Sequence, residues 1–103
     1  MTVDLDWENL GFNYRKLPFR YISYYKDGKW DEGQLTEDAT LHISESSPAL
    51  HYGQEAFEGL KAYRTKDGSI QLFRPDENAK RLQRTADRLL MPQVPVEKIC
   101  RCL

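Results

Sequence analysis

Four residues between His51 and Leu82 have the side chains or backbone freedom that chemistry on a small molecule needs: Arg81, Tyr52, Phe57 and Gly59. A guanidinium is a planar fork of donors that grips two oxygens of a phosphate at once, which the point charge of a lysine does not do. Tyr52 offers a pocket an apolar wall with a polar rim, and Phe57 a purely apolar one. Gly53 and Gly59 flank Phe57 and permit backbone conformations and close approaches that other residues resist. Together they describe an apolar small-molecule pocket beside an anion clamp. Each also has a plainer reading. Tyr52 and Phe57 lie five apart, a strict repeat of neither helix nor strand, so on composition alone they are core aromatics. Arg81, Arg84 and Arg88 recur at spacings of three and four, and three cations sharing one side of a helix usually form a solvated face. Arg84 and Arg88 are read that way. Arg81 stands apart because it adjoins Leu82 at the boundary of the apolar stripe, where a guanidinium can reach inward.

The elements that must position these residues are hairpins followed by helix. Phe19 to Tyr25 is aromatic and β-branched, and Lys26-Asp27-Gly28-Lys29-Trp30 supplies a turn into a second short strand. Glu32 to Ser47 is charged and hydroxyl-rich, with Leu41-His42-Ile43 as its one expected strand. Glu58 to Tyr63, a Thr65-Lys66-Asp67-Gly68 turn and Ser69 to Phe73 predict a second hairpin, with Leu60, Ala62, Ile70 and Leu72 available for inward faces. From Pro75 the period changes from two to about three and a half. Ala79, Leu82, Ala86 and Leu89 fall on one stripe, and Lys80, Arg84, Asp87 and Arg88 lie away from it. Pro75 suits the first helical position, and Asp76 and Glu77 suit the positive end of the helix dipole. Pro92 and Pro95 close that helix, and Val96 to Leu103 can begin another. The fold class this predicts is α+β: antiparallel hairpins forming a small sheet, packed with an amphipathic helix.

Length and composition exclude several functions. A chain of 103 residues makes at most one small domain and buries roughly two-thirds of its unfolded surface. Fifteen basic against sixteen acidic residues leave a net charge of -1, so no global field draws nucleic acid or an anionic membrane, and any anion site is local. No apolar run reaches transmembrane length, and the acidic start, Met1 to Glu8, is unlike a signal peptide. The expected location is cytoplasmic. Cys100 and Cys102, two apart and remote from His42 and His51, make neither a disulfide framework nor a zinc site, and no metal is expected.

The motifs His51-Tyr52-Gly53, Phe57-Glu58-Gly59-Leu60-Lys61-Ala62-Tyr63, Leu72-Phe73-Arg74-Pro75 and Asn78-Ala79-Lys80-Arg81-Leu82 resemble the N-terminal small domain of branched-chain amino acid aminotransferases, pyridoxal-phosphate enzymes of fold type IV. The resemblance runs from about Asn13 to about Pro95 and implies transfer of the amino group of leucine, isoleucine or valine to 2-oxoglutarate. It implies that Arg81 binds the phosphate of pyridoxal 5'-phosphate, that Tyr52 and Phe57 line the substrate side-chain pocket, and that Gly59 brings backbone near the substrate. It also implies a homodimer, since the family's tyrosine at this position reaches the neighbouring subunit's site. The family's Schiff-base lysine lies in a large C-terminal domain, and none of the seven lysines here matches it. The expectation is therefore an N-terminal arm, 1–17, and a truncated small domain, 18–103, without the catalytic domain and inactive alone, its apolar faces left exposed. A competing expectation is a non-catalytic interaction module using Arg81, Arg84 and Arg88 as an anion-binding face.

Overall fold

The computed structural model describes residues 6–103, which fall into two compact units, one ending at His42 and the other spanning Ile43–Leu103. The expected 1–17 arm begins outside the described residues, and among the described residues of that arm a single 3-10 turn at Trp7–Asn9 is the one regular piece.

The first unit is a long antiparallel ribbon with one flaw. Strand β1 (Arg20–Ile22) pairs with β4 (Gln34–Thr36), and β2 (Tyr25–Lys26) pairs with β3 (Lys29–Trp30). Asp27 and Gly28 both take positive φ, 54° and 81°, the backbone of the tight turn that an Asp-Gly pair favours. Tyr25 and Trp30 face each other across the ladder with ring centroids 5.2 Å apart, edge to face. Ile22 sits opposite Gln34 while Tyr25 sits opposite Trp30, so two residues on one side oppose three on the other. This is a one-residue bulge. Asp31 pins it: its carboxylate accepts from Ser23 Oγ at 2.7 Å, Gly33 N at 2.8 Å and Tyr24 N at 3.1 Å. The sequence reading missed β4, and the strand expected at Leu41-His42-Ile43 does not form. Local bonds take its place. Asp38 Oδ1 accepts from Thr40 N at 2.9 Å, and the Arg20 guanidinium donates to the carbonyls of Asp38 and Thr40, so the backbone that would lead into a ladder is already occupied.

In the second unit, helix α1 (Pro48–Tyr52) starts on a proline and stops at Gly53, whose φ of 63° lets its N–H return to the Pro48 carbonyl. Strands β5 (Ala62–Arg64) and β6 (Ile70–Leu72) form the second predicted hairpin. Its turn is held by Thr65 N to Ser69 O at 2.8 Å and by the Asp67 carboxylate accepting from Thr65 Oγ1 and Ser69 N. Ala62, Ile70 and Leu72 share a face, as expected from alternation, but that face is exposed rather than inward, and Leu60 is only half-buried.

Helix α2 (Pro75–Arg88) carries the predicted stripe: Ala79 is fully buried, Ala86 is 5% exposed, and Leu82 and Leu89 are half-buried. Its C-terminus closes with Met91 N to Ala86 O at 2.8 Å and Leu90 N to Asp87 O at 3.2 Å, the paired bonds of a left-handed cap with Leu90 at φ 57°. Helix α3 (Val96–Arg101) packs on α2 after the two prolines, and Gln83 Nε2 secures the connection by donating to Val94 O at 2.9 Å. The α+β class expected from the sequence is the one adopted, with the strands grouped as three two-stranded antiparallel ladders.

Gly33 is the most constrained glycine of the first unit, with a φ of 76° and the Tyr21 side chain standing where a Cβ would project. Gly33→Ala is expected to cost about 1–2 kcal/mol from the left-handed backbone alone, with the ring displacement added. Urea unfolding followed by tyrosine and tryptophan fluorescence measures it, and an unchanged midpoint would refute the assignment.

Candidate functional site

The best-defined polar cluster of the second unit forms where α2 meets the segment leading into β5. Asn78 and Arg81 are three apart on α2, so both side chains project from one side of the helix. Glu58 meets them from the Phe57-Glu58-Gly59 segment. Arg81 Nε donates to Glu58 Oε2 at 2.8 Å, and Arg81 Nη2 donates to Glu58 Oε1. Asn78 Nδ2 donates to Glu58 Oε1 at 3.2 Å and to the Gly59 carbonyl at 2.9 Å. The two partners are unequally sheltered: the Glu58 side chain is 15% exposed and that of Arg81 62%.

This geometry fixes both charges. Hydrogen bonding from the Arg81 guanidinium, reinforced by Asn78, pulls the Glu58 carboxyl down from 4.5 to about 2. The carboxylate in turn raises the pKa of Arg81. The grip uses the Nε and Nη2 side of the guanidinium. The Nη1 side, with its remaining N–H groups, meets no acceptor among the described residues, and planar donors on an exposed edge suit a phosphate oxygen pair. Arg84 and Arg88 differ, being exposed without an acidic partner among the described residues, as the solvated-face reading expects.

Tyr52 lies at the end of α1 and is 87% exposed, and Phe57 is 92% exposed. They are surface aromatics here, not the core aromatics of the plainer reading. Gly59 has open space where a Cβ would stand, and its carbonyl is tied to α2 through Asn78. Two shallow depressions, one along Ile22–Gln34 and the other along Tyr14–Ala39, belong to the first unit and touch none of these residues. Among the described residues no three of His, Cys, Asp and Glu gather as metal ligands would, and no helix is long and apolar enough to cross a membrane. The sequence reading missed Glu58 and Asn78 as site residues. The three-residue step from Asn78 to Arg81 was a usable signal, whereas the twenty-three-position separation of Glu58 and Arg81 gave none.

The cluster itself is an ion pair tying an irregular segment to a helix flank, and comparison with known proteins gives the class as aminotransferase. The chain is 70% identical over 98 residues, 95% of its length, to a branched-chain-amino-acid aminotransferase of Haemophilus influenzae. It is 58% identical over 91% of its length to one of Helicobacter pylori, and 43% identical over 93% of its length to a methionine aminotransferase of Arabidopsis thaliana. No protein-family model matches it. The chain's relatives are branched-chain-amino-acid aminotransferases and a methionine aminotransferase, and it matches only a part of each: it spans 29%, 28% and 27% of these three relatives' lengths. This likeness favours the aminotransferase expectation over the interaction module.

The Glu58 pair has a consequence in acid. With the folded carboxyl held at about 2, the unfolded chain takes up the proton first as pH falls. The stability it contributes is therefore complete above about pH 4.5 and is lost as pH drops towards 2. Asp67, held at about 2 chiefly by Thr65, adds to the same slope. Glu58→Gln is expected to lose less stability than the unsubstituted chain between pH 4.5 and 2, read as the thermal midpoint against pH. Parallel curves would show that the pair contributes nothing.

Proposed function

We propose that this chain contributes part of the site of a branched-chain amino acid aminotransferase that uses pyridoxal 5'-phosphate to pass the amino group of leucine, isoleucine or valine to 2-oxoglutarate. The observation that carries the reading is the 70% identity over 98 residues to such an enzyme. In this reading 1–17 is an arm, 18–103 is the N-terminal small domain, and the complete enzyme is a cytoplasmic homodimer. The substrates and partners are amino acids and 2-oxo acids, not nucleic acid or membrane.

The donor set fits the cofactor at one point. Arg81, charged and already oriented by Glu58, has an exposed edge of N–H donors for a phosphate dianion. When bound, pyridoxal phosphate supplies an electron sink for the bond broken at the substrate α-carbon. The residues of this chain bind and orient: Arg81 anchors the phosphate, Tyr52 and Phe57 supply apolar wall, and Gly59 keeps the backbone low beside the substrate. The proton-moving lysine has no counterpart among the seven lysines here, so the segment is inactive alone and depends on the rest of the enzyme.

Aromatic walls select by apolar burial, and one methylene in such a pocket changes binding by only about 1–3 kcal/mol. A methionine aminotransferase among the relatives accords with that, since an unbranched thioether suits the same kind of wall. Substrate use across leucine, isoleucine, valine and methionine is therefore expected to be graded rather than absolute.

Two measurements test this. The 103-residue chain mixed with pyridoxal phosphate, leucine and 2-oxoglutarate is expected to yield no glutamate, and turnover would overturn the claim that its lysines are not catalytic. In the complete enzyme, Phe57→Ala is expected to lower kcat/KM for leucine about ten- to a hundredfold, matching the loss of about 1.5–3 kcal/mol of apolar burial. An unchanged value would remove Phe57 from the pocket.

A further inference from the structure

We propose that Glu58 is a positioning residue for Arg81: its carboxylate grips the Nε and Nη2 side of the guanidinium so that the opposite edge is presented, already oriented, to the cofactor phosphate. This rests on the reading of Arg81 as a phosphate ligand.

The unequal shelter of the two partners is the first argument. An ordinary surface ion pair exposes both ends, holds neither, and contributes little. Here the carboxylate is the sheltered member, at 15% exposure, and the guanidinium faces outward at 62%. The fixed group is Glu58 and the presented group is Arg81.

The second argument is the fixing of Glu58 itself. Its Oε1 receives both Arg81 Nη2 and Asn78 Nδ2, and its Oε2 receives Arg81 Nε. Asn78 also holds the neighbouring Gly59 carbonyl, so the carboxylate and the backbone that carries it are tied to the helix bearing Arg81. The guanidinium is thus set by a partner that is itself set twice. Its acidity supports this, since a carboxyl at about 2 stays an acceptor at neutral and mildly acid pH.

The third argument is the cost of an unheld arginine. A long side chain free to rotate gives up that freedom when it binds, and pre-ordering it removes the loss from the binding step. Arg84 and Arg88, on the same helix, have no acidic partner among the described residues. Against this stands the negative charge of Glu58, which would repel a phosphate if it faced one. It lies on the far side of the guanidinium, where its charge is matched by Arg81 and by the Asn78 amide.

The test uses the complete enzyme stripped of cofactor, with dissociation constants measured by absorbance titration for pyridoxal phosphate and for pyridoxal, the same ring without the phosphate. Arg81→Ala is expected to weaken pyridoxal phosphate strongly. Glu58→Gln is expected to weaken it about tenfold, the scale of one charge-assisted hydrogen bond, and to leave pyridoxal within about twofold. In the Arg81→Ala background, Glu58→Gln is expected to do nothing further. If Arg81→Ala leaves pyridoxal phosphate binding intact, the phosphate-ligand reading fails and this proposal with it. If Arg81→Ala weakens binding while Glu58→Gln leaves it unchanged, tightens it, or weakens pyridoxal equally, the positioning role fails and the ligand reading stands. Should Glu58→Gln not fold, nitrogen NMR of the unsubstituted enzyme decides: a slowly exchanging Arg81 Nε–H signal before cofactor is added supports the proposal, and a signal averaged with solvent overturns it.

Discussion

The charge pair between Glu58 and Arg81 is the interaction on which the chemistry proposed for the second unit turns. It joins an irregular segment, without ladder bonds of its own, to the longest helix of the chain. Asn78 doubles the joint by bonding both the Glu58 carboxylate and the Gly59 carbonyl. Backbone polar groups in irregular segments must find partners somewhere, and Gly59 finds its partner in a helix side chain. Gly59, proposed to lie beside the substrate, and Arg81, proposed to touch cofactor, are therefore connected through polar side chains rather than through a hydrophobic core.

A core would be a weak alternative. Ala79 and Ala86 are the buried hydrophobic residues among those described, both on α2 and both small. Leu82 and Leu89 complete the stripe at half burial, and α3 covers part of it. Meanwhile Tyr52, Phe57, Phe73 and Leu90 are all more than three-quarters exposed. Where such side chains adjoin one another they mark surfaces that meet something else. Exposed apolar side chains, anticipated from the family resemblance, are present, and with little burial to hold the unit, its directed polar bonds carry a larger share of its order.

What was legible in the sequence follows from how local each signal is. The α2 stripe, Pro75 at its start, the Asp27-Gly28 turn and the Thr65–Gly68 turn are set by residues within a turn or two of one another, and all were readable. Helix α1 was readable too, since Ser47-Pro48 before it and Gly53 after it form a start and a stop signal, but the aromatic content of the segment masked them. The bulge at Asp31 and the pairing of β4 depend on register between distant residues, which alternation alone does not fix. Leu41-His42-Ile43 has the composition of a strand, yet Arg20 and Asp38 bond the backbone just before it. For the candidate site, Arg81 was singled out by its place beside Leu82, while Glu58 gave no local sign that it would pair with Arg81.

That asymmetry has a physical root. An arginine at the edge of an apolar stripe betrays itself, because its position relative to the stripe is a property of one helix. A carboxylate that fixes it belongs to another segment, and its identity as a partner exists only once the chain has folded. Helix α2 solves both problems with one period: Ala79, Leu82 and Ala86 face the packing side, and Asn78 and Arg81 project towards Glu58. Rotation of the helix by one residue would break both sets of contacts together, since about 100° separates neighbouring side chains. The small buried stripe therefore does more than its area implies. It fixes the rotation of α2, and through that rotation the direction in which the guanidinium meets its carboxylate.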